Sequence, residues 1–399
     1  MAFRVRHRTH GGSLISTHTP VGGTLTYTFR AGAPGDISYQ LPLSDLAIGR
    51  DTFASYKTDF LLQHRPQATI GAGWQDIMGG IHVPVNLKND EDTVNVAGKD
   101  WAHWLEQPVW FDYYAYNWSE AGDAFATRKR DIIKAAKQYS AGIYENIAVL
   151  AFTPPATQSA ICTKLINNTK RGPNYPNIQP SYNSGAGSSQ LEYTSYIINF
   201  QDTTTVLQHI NNIAALDEPY GFDWTMNPGK TMEFFGPRKN RRDSPSPIWN
   251  FTEATILEHP MLELDWTNIG PIGTHVVGLS VGSPALWWHK RDQESIDKFR
   301  EWLKIEHVGD HYIKGPDMRY AVDGLDFIHS QRDVKIVVNP EILPDGYKNH
   351  IGDVVRIRWD FPPYHEVDAF YWITEQTYEQ PDPSNWRLTL GLQQIYDKK

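Results

Sequence analysis

A mainly β chain of the α+β class, divided into several domains, is what the sequence predicts, and three observations predict it. Val355, Ile357 and Trp359 alternate with Arg356 and Arg358, a period of two that gives a strand one apolar and one charged face. Trp386, Leu388, Leu390 and Leu392 repeat that period close by. Helical spacing, in contrast, is confined to a few short segments, and 399 residues suffice for roughly two to four cores.

From the amino terminus, Thr24–Phe29, Asp36–Leu43, Gly80–Val85 and Thr93–Val96 read as strands separated by Pro, Gly, Asn and Asp turns. Trp101, Trp104 and Leu105 stand at i, i+3 and i+4 and read as one helical turn. Residues 1–110 are therefore expected to form an open or barrel-like β domain. Beyond them, Ala126–Tyr139 places Ile132, Ile133 and Ala136 on one face against a basic remainder, the pattern of a packed surface helix. A membrane contact is the weaker reading, because that apolar face is small. Ala156–Asn168 is a second helix, opening after Pro154-Pro155. Lys170–Gln190 is rich in Gly, Asn, Pro and Ser and is expected to be a long loop.

A third helix is expected from about Thr203, capped by Asp202, with Val206, Leu207, Ile210, Ile213 and Ala214 on its apolar face. Phe222–Met226 and Thr231–Phe235 read as a hairpin around Asn227-Pro228-Gly229. Pro and charge crowd 236–247 and mark a boundary. His275–Leu279 is a strand, and Ile296, Phe299, Trp302 and Leu303 suggest a late helix. The expected division is 1–110, a first β domain; 111–235, a helical and β region; 236–330, an inserted or peripheral α+β unit; and 331–399, a carboxy-terminal β domain.

Composition narrows the function classes. Acidic residues number 46 against 37 Lys and Arg, a net charge of −9, which disfavours a general nucleic-acid-binding surface. The basic run Arg238, Lys239, Arg241 and Arg242 lies between prolines and reads as a solvated loop or interface rim. Cys162 is the single cysteine, so there is no intrachain disulfide and no Cys-rich zinc site; behind Ile161 it reads as a buried thiol. No amino-terminal apolar signal and no membrane-length span is visible. The sequons at Asn117, Asn167 and Asn250 would need a secretory route to be glycosylated.

Chemistry-bearing patterns are few. Gly278-Leu279-Ser280-Val281-Gly282 matches a nucleophile elbow in letters, but Ser283-Pro284-Ala285 is a poor start for the helix such an elbow needs. Asp292, Asp297, Asp310 and His311 could complete a triad only by a pairing the sequence does not specify, so a glycine-permitted strand bend is preferred. Glu306, His307, Asp310 and His311 would bring ligand atoms together if they were helical, yet Gly309 weakens that helix, and a polar turn is the better reading. His7 and His10 carry less weight still. Carboxylate pairs for glycoside hydrolysis cannot be picked out, although the 14 tryptophans could stack sugars. Gly71-Ala72-Gly73 and Gly22-Gly23 lack the context of nucleotide sites. No catalytic residue, cofactor or metal is expected, and the chain is expected not to be an enzyme.

The order of signals is more telling. Asp36-Ile37-Ser38-Tyr39-Gln40-Leu41-Pro42-Leu43-Ser44, then Gly73-Trp74-Gln75-Asp76-Ile77-Met78-Gly79-Gly80, then Val94-Asn95-Val96-Ala97-Gly98-Lys99-Asp100-Trp101 resemble the opening of minor tail proteins of long-tailed actinobacterial phages, in particular their tail-tip or baseplate hub. The resemblance continues through Tyr220-Gly221-Phe222-Asp223-Trp224, His275-Val276-Val277-Gly278 and Gly352-Asp353-Val354-Val355. It implies a homotrimeric ring in the virion, assembled in the bacterial host cytoplasm, that joins tail tube to tip and lets DNA pass without sequence-specific binding. The implied partners are a distal tail or tail-tube protein, a tape-measure protein and other tip proteins or fibres. Residues 1–110 would form the first ring domain, and Phe222–Phe235 would contribute to the second. Under this reading Ser280 has no nucleophilic duty. A carbohydrate-binding tail protein, or a glycan or ester hydrolase acting at the host surface, is the alternative.

Overall fold

The computed structural model describes residues 2–42, 56, 58–65, 73–84, 92–109, 145–146, 149–151, 156–169, 175–182, 192–193, 197–199, 203–214, 222–235, 248–250, 258–269, 274–279, 287–293, 296–297, 300–307, 331–340, 351–361, 364–382 and 385–394. It is mainly β, with one 14-stranded sheet, smaller sheets and few helices. Seven strands come from the amino-terminal part: β1 Ala2–Arg8, β2 Leu14–His18, β3 Thr26–Arg30, β4 Asp36–Pro42, β5 Asp59–Arg65, β6 Gln75–Val83 and β7 Thr93–Asp100. They lie in the order β2-β1-β5-β6-β7-β4-β3, each pair antiparallel.

The strand Tyr364–Asp382 joins this array to the rest of the chain. Its first half pairs with Val354–Phe361, its second half with β3, and its other edge with Asn385–Gln394. The register slips between Ile373 and Glu375. There the Thr374 carbonyl accepts from Ala31 N–H at 2.8 Å, while its hydroxyl donates to Gly391 O at 3.1 Å. An extra residue at this point bends the strand, so one strand can serve two differently oriented sets of partners. Residues of 1–110 and of 331–399 consequently share one sheet and one apolar cluster. Within it Phe3 lies 4.5 Å from Trp386, and Tyr27 stacks on Tyr378 at 4.7 Å.

Alternation explains the strands. In β1, Phe3, Val5 and His7 are buried while Arg4, Arg6 and Arg8 face outward. Val355, Ile357 and Trp359 are buried, as are Trp386, Leu388, Leu390 and Leu392, in accord with their spacing.

A second apolar cluster covers part of the outer face. It holds the 3-10 helix Trp101–Glu106, the helices Gln158–Asn168 and Val206–Ala214, and the hairpin Asp223–Met226 and Thr231–Phe235. Asp100 caps the first of these by accepting from Ala102 N–H, and Thr157 caps the second by accepting from Ala160 N–H. Cys162 is buried here, and burial raises its thiol well above the ordinary range. The hairpin turn closes with Lys230 N–H on Asn227 O, Lys230 taking φ 65°.

Several expectations are corrected. The Val206–Ala214 helix is closed by Thr205 and Gln208, each side chain accepting from the other's backbone N–H; the cap is not Asp202, which lies outside the described residues. The segment Lys170–Gln190 is not wholly loop: Gln179–Tyr182 is a strand parallel to Thr231–Phe235. The late helix stops short of Leu303. Ile296 N–H reaches Asp292 O and Arg300 N–H reaches Ile296 O, but Arg300 adopts φ 72°, a left-handed conformation that ends a helix. Thr274 then fixes the exit, donating to Arg300 O and accepting from Trp302 N–H. Leu303–His307 is a strand, parallel to His275–Leu279. Among the described residues no helix is long and apolar enough to cross a membrane.

Candidate assembly surface

One face of the amino-terminal sheet is sealed in the core, so its other face is where this part of the chain can meet partners. Two polar strips lie on that face, separated by the docked second cluster. Ile81, between them, is buried beneath Trp101, whose indole N–H donates to Pro228 O at 3.1 Å. The Lys230 ammonium sits 4.4 Å from the centre of the same indole. Gly79 permits this docking, since a Cβ there would come within 2.8 Å of Trp101 Nε1 and 2.9 Å of Pro228 O.

The first strip crosses β1, β5 and β6. Arg4 Nε donates to Gln63 Oε1 at 2.7 Å, and Gln63 Nε2 donates to Asp76 Oδ1 at 2.6 Å. The Arg4 guanidinium also covers the Trp74 ring at 4.2 Å, so Trp74 is half-buried rather than part of the core. Gln63 is buried, and both ends of its amide are engaged, which fixes the orientation of the ladder.

The second strip crosses β7, β4, β3 and Tyr364–Asp382. Gln40 Nε2 donates to Asn95 Oδ1 at 3.0 Å. Arg30 contacts Asp36, donates to Glu375 Oε2 at 3.0 Å and reaches Pro34 O at 3.1 Å. Thr28 and Thr377 share a hydrogen bond at 3.0 Å across the same seam. Opposite charges and paired hydroxyls at register-matched positions stabilise each strand pair modestly and define which strands are neighbours.

Asp100, one residue beyond Lys99 in β7, turns to the core side of the sheet and is buried. Burial raises its carboxyl to about 7, against the lowering effect of the Gly35 and Ala102 N–H groups. Asn211 then ties the two clusters together. It accepts from Trp224 Nε1 at 2.8 Å and donates to Gly32 O at 2.9 Å, while Gly32 N–H donates to Trp224 O at 3.1 Å.

The residues singled out for chemistry do not assemble. Gly278 sits in a ladder between Trp288 and Glu306, and Ser280 with the rest of the bend expected over Gly278–Gly282 lies outside the described residues. Glu306 and His307 end a strand and are not helical, which corrects the helical grouping, and Asp310 and His311 lie outside the described residues. Asp292 opens the short helical turn and Asp297 lies within it. The basic run Arg238–Arg242 and the Ala126–Tyr139 helix also fall outside the described residues. The ladder residues Arg4, Gln63, Asp76, Arg30 and Glu375 escaped sequence reasoning, because their pairing exists only once the register is known.

No family model and no curated protein sequence matches the chain. Solved structures do match along nearly its full length. A tail protein from Neisseria meningitidis MC58 superposes with a TM-score of 0.60 at 13% identity, covering 98% of this chain and 96% of that one. The 43 kDa tail protein of prophage MuSo2 from Shewanella oneidensis gives 0.57 at 10% identity, with 98% of both chains covered. The prophage tail protein gp18 from Listeria monocytogenes EGD-e gives 0.53 at 10% identity, covering 100% and 96%. The chain has the fold of these phage tail proteins from end to end.

Proposed function

We propose that this chain is a structural subunit of a phage tail, acting as the tip or baseplate hub in a virion assembled in the bacterial host cytoplasm. Three copies would close a ring that joins the tail tube to the tip and leaves a channel for DNA. Its partners would be a distal tail or tube protein, a tape-measure protein and other tip proteins or fibres. The observation that carries this reading is the shared fold, which covers this chain and the tail proteins alike almost completely. The sheet supports it: one face is packed, the other carries ordered polar ladders, and β2 ends the strand order with Leu14 and Ile15 exposed. The role proposed for it is structural rather than enzymatic.

The test is a reconstruction of the native tail tip by cryo-electron microscopy with this chain traced. Three copies around a channel directly below the tube are expected. Finding the chain only as an outer appendage, or absent from the tip, would reject the hub role while leaving the tail fold intact.

A further inference from the structure

The sheet formed by Trp287–Arg291, His275–Leu279 and Leu303–His307 has two unlike faces. On one, Val276 and Gly278 are buried. On the other, the register aligns Leu279 with Trp287, Val277 with His289 and Ile305, and His275 with Arg291 and Leu303. Trp287 is 64% exposed, Leu303 61% and Ile305 58%. An indole and two aliphatic side chains so open, on regular strands, form a flat apolar platform in contact with water.

Polar groups border that platform in a fixed arrangement. Glu301 Oε1 accepts from Arg291 Nη2 at 2.9 Å and from His275 Nδ1 at 3.0 Å. The same imidazole's Nε2 lies 3.3 Å from His289 Nδ1, so the two rings are linked edge to edge. The Trp287 and His289 rings are 6.1 Å apart. Charge is cancelled within the cluster, so the face offers hydrogen-bonding groups beside an aromatic plate without a strong field of either sign.

We infer that this face binds an uncharged polysaccharide of β-linked, equatorially substituted pyranoses. In such a sugar the axial C–H groups make one flat apolar side, which stacks on an indole, while the hydroxyls project outward at the ring edge toward groups such as His289 and Arg291. Size selects the same occupant. Three strands of five residues span about 15 Å by about 15 Å, on the order of 200 Å². A stable protein interface needs roughly 800 Å² on each side, so the platform is too small to hold a second copy by itself, whereas a few consecutive sugar rings fit it. The internal neutralisation of Arg291 by Glu301 favours an uncharged polymer over an anionic one. This site goes beyond the hub role and does not depend on it.

The experiment titrates the full-length chain with chitotetraose, cellotetraose and laminaritetraose, following intrinsic tryptophan fluorescence and calorimetry. At least one should bind at millimolar concentration or below. Trp287→Ala should weaken that binding by about tenfold or more, and Trp287→Phe should keep most of it. Leu303→Asp, which places a charge on the same plate, should also abolish binding, with unchanged circular dichroism showing that both variants are folded. Three results overturn the inference: no binding of any of the three sugars, binding unaffected by Trp287→Ala, or an effect of Trp287→Ala on self-association alone.

Discussion

The imidazole of His7 stacks on that of His82, with ring centres 4.9 Å apart and planes 13° from parallel, inside the amino-terminal sheet. Both rings are buried; His18 meets His7 edge-on at 5.2 Å, and His82 takes a hydrogen bond with the Thr58 hydroxyl at 2.9 Å. Burial first, and then the neighbouring imidazoles, lower His7 to about 2; burial lowers His82 to about 4 against a raising bond to Thr58. Each is therefore neutral in the folded state but gains a proton near 6.5 in the unfolded chain. Their contribution to stability is complete above about pH 6.5 and is lost as pH falls from there toward the folded values, on the order of 2 kcal/mol each by pH 5. Asp100 works the other way. Raised to about 7, it costs stability at neutral pH and returns a similar amount as pH falls toward its unfolded value. The net expectation is a lower urea midpoint at pH 5 than at pH 7. His7→Phe should nearly abolish that drop and Asp100→Asn should about double it; midpoints independent of pH in all three proteins would refute the buried-imidazole account.

Parts of this architecture were readable from residue spacing, and the reasons differ from strand to strand. Val355–Trp359 and Trp386–Leu392 alternate cleanly because each has one face in the core. The Asn227-Pro228-Gly229 turn carries its own conformational signal. The strand β1 does not stand out in the sequence because arginines and histidines fill its letters, although Phe3, Val5 and His7 alternate as a core face should. In β5 the run Phe60-Leu61-Leu62 is buried on both faces, so no period of two survives. The polar ladders could not be read at all. Arg4, Gln63 and Asp76 come together only through the β1–β5–β6 register, and Arg30 finds Glu375 across 345 positions of sequence.

Asn211 is expected to be the most consequential polar residue between the two clusters. Its amide joins the Trp224 indole to the Gly32 carbonyl, and Trp224 is fully buried. Asn211→Leu keeps the volume but leaves a buried N–H and a carbonyl without these partners, at a cost of about 2–4 kcal/mol. Thermal unfolding followed at 222 nm and by tryptophan fluorescence should show the second cluster loosening at lower temperature than the large sheet. Coincident, unshifted transitions would count against this coupling.

Close backbone approach makes Gly80 irreplaceable. A Cβ there would lie 1.9 Å from Lys99 O and 2.7 Å from Asp100 Cα, so β6 and β7 would have to separate. Gly73, at the start of the same segment, has nothing within 4 Å. Gly80→Ala should cost more than about 3 kcal/mol, or prevent soluble expression, because the obstruction is backbone and cannot rotate away. Gly73→Ala should be within about 0.5 kcal/mol of the parent. Chemical denaturation of both variants decides it, and a mild Gly80→Ala would mean that the β6–β7 spacing is wider than described.

Arg30 offers a test that separates folding from assembly. It bridges Asp36 and Glu375, three side chains each about one-third or more exposed, so solvent screening keeps the bridge's share of monomer stability small. Arg30→Met leaves the two carboxylates facing each other across β4, β3 and Tyr364–Asp382. Stability should drop by about 1 kcal/mol or less at low ionic strength, and the drop should fade in half-molar salt as the Debye length contracts. If this polar strip is a contact surface in the tail, incorporation into particles should suffer far more than the melting temperature does. Complementation of a deletion phage with the variant, scored by the fraction of complete tails, measures that directly. Normal incorporation with a salt-independent loss of stability would make Arg30 a purely local strand clamp and move the assembly surface elsewhere on the chain.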